Sequence, residues 1–191
     1  MERKAKYLTL VECAIMLALA TALSFVKIFA LPLGGSVTLL SMLPIVLVSV
    51  KHGVKTGFAT AGLYGVIQML IGSDFNVASL ADTVGVFVVC ILFDYILAFG
   101  VLGIAGIRRH NGLIGQEVGI LLAVFLRFVC HYISGVTIWA SYAPEGLSAG
   151  MYSLMYNGTY MLPECIFTMI GAVALLKAPY VRTLFRIKEA A

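Results

Sequence analysis

The chain has 191 residues, of which 61% are hydrophobic and only 12% charged, with a formal net charge of +4. A soluble domain of this size cannot keep so much apolar surface out of water, so the class is integral membrane protein. The basic excess lies mostly in loops and tails, where it reports topology and gives no footprint for nucleic acid.

The first apolar segment runs from about Leu8 to Leu31. MERKAKY before it is basic and Ala18-Leu19-Ala20 resembles a cleavage site, but Glu12 interrupts the apolar run, so a retained first helix is expected. Pro32, Gly34 and Gly35 open a turn. The second segment, Val37 to Val50, spans only ~21 Å as a helix, short of a ~30 Å hydrocarbon core. The third runs from about Thr56 to Ile71, the fourth from Ser79 to Ile107, the fifth from Leu113 to Trp139 and the sixth from Tyr152 to Leu176. Gly53, Gly72-Ser73-Asp74, Asn111-Gly112 and Pro144-Glu145-Gly146 mark the breaks between them.

The basic residues orient these six crossings. With the N-terminus inside, Arg3, Lys4, Lys6, Lys51, Lys55, Arg108, Arg109, Lys177, Arg182, Arg186 and Lys188 all fall on the cytoplasmic side, out of 13 Lys and Arg in total. Lys27 alone falls in an outer loop, and Arg127 lies within the fifth segment. The expected architecture is therefore an all-α integral membrane protein: one domain over residues 1–191, a six-helix bundle in the cell membrane, both termini cytoplasmic.

The segment from Arg127 to Asn157 concentrates the candidate chemistry. Arg127, His131, Gly135 and Trp139 recur every four residues and form one stripe on a helix, with Tyr152, Tyr156 and Asn157 across the following loop. Polar groups at membrane depth face the protein interior or a wet cavity, so this stripe reads as one wall of a pocket. In the fourth segment Asp94 lies ~22 Å below the outer end, close in depth to Arg127. Asp94 is either half of a structural ion pair with Arg127 or a carboxylate facing a cationic ligand, and the two roles are compatible. Trp139, the single tryptophan, is either an interfacial belt residue or a stacking platform. Asn157 can donate to and accept from a heterocycle edge. Glu164, after Pro163, is expected to serve structure, and Asp82 and Glu117 to be solvated helix-end residues. Ala14, Ala18 and Ala22 allow close helix approach, either within this chain or to a partner. The four cysteines sit in apolar runs without CxxC spacing, so neither a metal centre nor a disulfide framework is expected. The sequence contains no GxxxxGK[ST], HExxH or GxSxG, which gives no support to ATPase, zincin or serine-hydrolase chemistry, and no cofactor is implied.

HYISGVTIWASY followed by MYSLMYNG resembles the thiamine-specific substrate-binding subunit (S component) of energy-coupling-factor (ECF) vitamin transporters. LPLGGSVTLLSMLPI, FDYILAFGVLGIAG and ECAIMLALA carry the same likeness over nearly the whole chain. The resemblance implies a thiamine pocket near the outer face built from Asp94, Tyr95, His131, Gly135, Trp139, Tyr152 and Asn157. It also implies a docking face at Ala14 and Ala18, with an ECF transmembrane coupling subunit and two ATP-binding subunits as partners. Two departures stand out: some members have glutamate where Asp94 stands, and some have a first-loop tryptophan where this chain has Gly34-Gly35-Ser36. Other readings of the same residues are an S component for another vitamin or a thiamine precursor, and a stand-alone transporter using Asp94, Arg127 and His131 as a proton relay.

Overall fold

The structure, a computed structural model, describes residues 2–71 and 83–185. The expected turn at Gly72-Ser73-Asp74, the start of the fourth segment and Asp82 lie outside the described residues. Helix α1 (Glu2–Ser24) is followed by strands β1 (Lys27–Ala30) and β2 (Ser36–Thr38), then α2 (Met42–His52), α3 (Val54–Ile71), α4 (Val84–Arg108), α5 (Gly112–Thr137), α6 (Ala149–Lys177) and a short α7 (Pro179–Phe185). Among the described residues α1, α3, α4, α5 and α6 are long and apolar enough to span a membrane.

Helix α2 is the short sixth member, and every residue from Met42 to Val50 is buried. An element apolar on all sides is stable only when neighbours surround it, so α2 forms the axis of the bundle while longer helices face lipid. Helix α1 is the opposite case. Apart from Cys13, Ala20 and Ser24 it is largely uncovered, and Ala14, Ala18 and Ala22 all lie on its exposed side. The small-residue stripe therefore does not pack inside this chain.

The first apolar run does not stay helical to Leu31. Ser24 Oγ donates to Thr21 O at 2.7 Å, the helix ends, and residues 27–38 form an antiparallel hairpin pairing Lys27 with Thr38, Phe29 with Val37 and Ala30 with Ser36. Pro32 and Gly34 make the turn, as their chemistry predicts, and the apolar residues before them extend as a strand. At the opposite end of the bundle, α2, α3, α4 and α5 meet with almost no side chain between them. A Cβ on Gly106 would run into the Ser49 backbone, and one on Gly103 into the backbone of Phe58. Fully buried Ser49 closes that junction: its Oγ donates to Gly103 O and accepts from Gly106 N at 2.9 Å. Nearby, Glu12 of α1 pairs with Lys51 at 2.8 Å and His52 at 2.7 Å, which gives the apparent interruption of the first segment a partner on α2.

Helix α4 is not a uniform α-helix. Its middle, Ile91–Ile96, is a π-helical turn, and its last eight residues tighten to 3-10 geometry. Wide turns of this kind rotate the side chains that follow them and frequently occur at functional sites. Asp94 and Tyr95 both sit on this turn.

Candidate functional site

Between the hairpin and the α5–α6 connection lies a cavity of about 560 Å³. All seven expected pocket residues line it: Asp94, Tyr95, His131, Gly135, Trp139, Tyr152 and Asn157. The volume falls in the range of small-molecule sites, and aromatic and apolar walls with a few convergent polar groups are their usual composition.

Asp94 is the polar centre of one wall. Its Oδ2 accepts from Ser134 Oγ at 2.6 Å, Trp139 Nε1 at 3.1 Å and Cys90 Sγ at 3.2 Å. Its Oδ1 accepts from His131 Nδ1 at 3.2 Å. Arg127 Nε donates to His131 Nε2 at 3.4 Å, so that nitrogen is the acceptor and Nδ1 carries the proton. The positive guanidinium thus reaches the negative carboxylate through a neutral imidazole. No direct ion pair joins Arg127 to Asp94: the guanidinium carbon instead sits 4.0 Å from the centre of the Phe99 ring. Of the two roles open to Asp94, a direct ion pair with Arg127 is not formed: a relay through His131 links the two, with Asp94 on the π-helical turn beside His131 and Ser134.

The α-helical stripe ends early. Helix α5 stops at Thr137, and Trp139 begins a separate 3-10 turn. The indole still reaches the wall, held edge-on by its hydrogen bond to Asp94, with Tyr142 5.7 Å away ring to ring. Gly135 lines the cavity and also serves helix packing. A Cβ there would collide with Ser153 Oγ, so the glycine lets α6 approach α5. Ser153 uses that proximity to donate to Tyr132 O at 2.9 Å. Asn157 is committed to the same junction: its Nδ2 donates to Ser153 O and His131 O, and its Oδ1 accepts from Tyr160 Oη at 2.8 Å. A heterocycle must exchange with one of these partners to use the amide. Tyr152 stands beside Tyr156 on α6, their rings 5.9 Å apart.

Sequence reasoning missed the floor and the roof. Glu164 lines the cavity and is buried. Its Oε1 accepts from both the backbone N–H and the hydroxyl of Thr38, and Ser41 stands 2.6 Å from that hydroxyl. Tyr156 donates to Pro32 O and accepts from Gly35 N at 3.2 Å, so α6 holds the hairpin tip over the cavity. The available signals were Pro163 beside a deep carboxylate, and tyrosines repeating at 152, 156 and 160 along one face. Glu117 is also not the solvated end residue expected. Both of its carboxylate oxygens are buried without a hydrogen-bond partner among the described residues, in a shallow depression beside Lys177.

The family profile described as thiamine transporter protein (Thia_YuaJ) matches residues 10–183. The chain belongs to the thiamine transporter protein family. It is 36% identical over 184 residues to the thiamine transporter ThiT of Bacillus subtilis, covering 89% of this chain and 91% of that one. It is 23% identical over 192 residues to the thiamine transporter ThiT of Lacticaseibacillus paracasei, covering 92% and 90%. A solved structure of ThiT from Listeria monocytogenes superposes with a TM-score of 0.72 at 24% identity, over 95% of this chain and 98% of that one, and shares its fold. Family membership makes this a multi-pass membrane transport protein rather than an enzyme. Among the described residues, the cavity has a volume and lining suited to a small-molecule ligand.

Proposed function

We propose that this chain is the substrate-capturing component of thiamine uptake and that thiamine occupies the 560 Å³ cavity. The observation that carries this reading is the convergence of Asp94, His131 and Trp139 on one hollow in a chain of the thiamine transporter family. Thiamine joins a thiazolium cation to an aminopyrimidine. Trp139, Tyr152 and His131 offer stacking faces to the rings. Asp94 accepts hydrogen bonds from cationic or amine donors, more strongly than a neutral acceptor would. Tyr95, Gly135 and Asn157 complete the wall, and Asn157 reads a ring edge after giving up an internal partner.

The positive-inside assignment puts Lys51, Lys55, Arg108, Arg109 and Lys177 in the cytoplasm, so the hairpin and cavity face outward and capture occurs from the exterior. Residues 1–191 act as one six-helix unit, with α2 as the short sixth helix. The sequence contains no GxxxxGK[ST], and the family resemblance supplies the partners for inward release: an ECF transmembrane coupling subunit and two ATP-binding subunits. Ala14 and Ala18, exposed on α1, form the docking face. Calorimetry of the purified protein with thiamine, with its pyrimidine half and with its thiazole half tests the substrate. Thiamine binding far more tightly than either half supports the reading. A half-molecule binding as tightly as the whole would make the substrate a precursor.

A further inference from the structure

The chain that leaves α1 and forms β1 carries two sets of side chains. Phe25 and Lys27 line the cavity. Val26, Ile28 and Phe29 do not, and all three are exposed. Successive residues of an extended chain alternate in direction, and the register shift between Lys27 and Phe29 breaks the alternation, so Ile28 and Phe29 both lie clear of the cavity. Leu39, whose N–H donates to Val26 O at 3.0 Å, adds a fourth exposed apolar side chain outside the cavity. This patch continues the uncovered stripe of Val11, Ile15 and Leu19 on α1. Its depth follows from the helix before it. Arg3, Lys4 and Lys6 mark the inner boundary of the membrane. From Tyr7 to Ser24 the helix rises only ~27 Å, less than the ~30 Å of the hydrocarbon core. The residues after Ser24 therefore emerge at the outer margin of the bilayer, below bulk water. Among the described residues β1 has a neighbouring strand on one side only, an edge that headgroups can satisfy and hydrocarbon cannot.

We propose that the hairpin is seated in the outer leaflet: Val26, Ile28, Phe29 and Leu39 meet phospholipid acyl chains near the ester groups, and this contact helps to hold the hairpin over the cavity. On its inner side the hairpin tip is tied to α6 by the bonds of Tyr156 with Pro32 O and Gly35 N. On its outer side, lifting the hairpin away from the bundle would carry four apolar side chains into water, so the lipid opposes opening. The lipid contact does not depend on which ligand the cavity takes, whereas its effect on binding rests on the thiamine reading.

Depth and binding are measured separately. For depth, Phe29→Trp, and separately Ile28→Trp, is made in a Trp139→Phe background, so that one tryptophan reports from the patch. The protein is placed in phosphatidylcholine nanodiscs with and without bromine on the acyl chains near the ester. Brominated lipid should quench most of the emission, and aqueous iodide should quench little. Quenching by iodide and not by lipid means that the patch faces water and overturns the proposal. Lipid quenching that vanishes when the coupling subunits are bound gives the patch to a protein partner and overturns it too. For binding, Ile28→Ser with Phe29→Ser, neither of which lines the cavity, is compared with the unaltered protein by calorimetry in plain nanodiscs. Thiamine affinity should fall roughly fivefold as the closed hairpin becomes less populated, with thermal unfolding confirming an intact bundle. An unchanged affinity overturns the role of lipid in holding the hairpin. If the double variant does not fold, Leu39→Ser, expected to weaken binding about twofold, decides in the same sense. An unaltered protein that binds no thiamine removes the thiamine reading, and the quenching result still decides whether the hairpin sits in lipid.

Discussion

The two ends of this bundle differ in how closely their helices approach. At the basic end, Ser49 sits against Gly103 and Gly106 with its hydroxyl both donating and accepting, and helices touch backbone to backbone. At the hairpin end, the helices stand apart around 560 Å³, and aromatic and polar side chains line the gap. Side chains locked into a close-packed junction hold structure together, while those around a hollow can meet a ligand. Substitutions at the two ends should therefore fail differently, the first in folding and the second in binding.

The largest effect should come from Gly106→Leu. The added side chain would meet Ser49 main-chain atoms, which cannot yield, and destabilisation of about 3 kcal/mol or more is expected. Thermal unfolding in detergent measures it, and retention of a normal melting temperature would mean that the junction is looser than described. Asp94→Ala comes next, in binding rather than stability. It leaves Ser134, His131 and Trp139 without their shared acceptor and should weaken thiamine by roughly a hundredfold while the protein stays folded. Calorimetry showing an undiminished affinity would remove Asp94 from the site. Trp139→Phe should cost less, about tenfold, since it keeps an aromatic face but loses the hydrogen bond that orients it. An affinity equal to that of the unaltered chain would make Trp139 a bystander. The smallest effect on binding belongs to Ala14→Trp with Ala18→Trp. These exposed positions on α1 lie away from the cavity, so thiamine affinity should stay within about twofold while ATP-driven uptake by the assembled transporter falls. Normal uptake would show that the partner docks elsewhere.

How much of this was legible in the sequence depended on whether a feature was local. Helix number and orientation were read from apolar runs and from lysines and arginines, and the Arg127, His131, Gly135 and Trp139 stripe from four-residue spacing, whereas the full set of pocket residues, Tyr95 included, came from the family resemblance. The hairpin was hidden because residues 25–31 continue the apolar run of α1, and composition does not separate a helix tail from a strand whose partner lies beyond a turn. The Asp94 network was hidden because a π-helical turn changes the phase of α4 by an amount that no spacing rule carries. Gly135 and Asn157 line the cavity, but their contacts are to Ser153 and Tyr160, and partners of this kind are set by packing. Glu117 shows the same limit in reverse. Its place near a helix start suggested solvent, and the neighbouring apolar side chains of α5 and α6 cover it.

Fluorescence of Trp139 reports binding and its location together, because the chain has one tryptophan and that indole lines the cavity. Titrating the purified, unaltered protein with thiamine should give a saturable change in emission at one equivalent, as a ring settles against the indole. Heat of binding without any change in emission would put the vitamin somewhere else, and neither signal would mean that the cavity does not bind it.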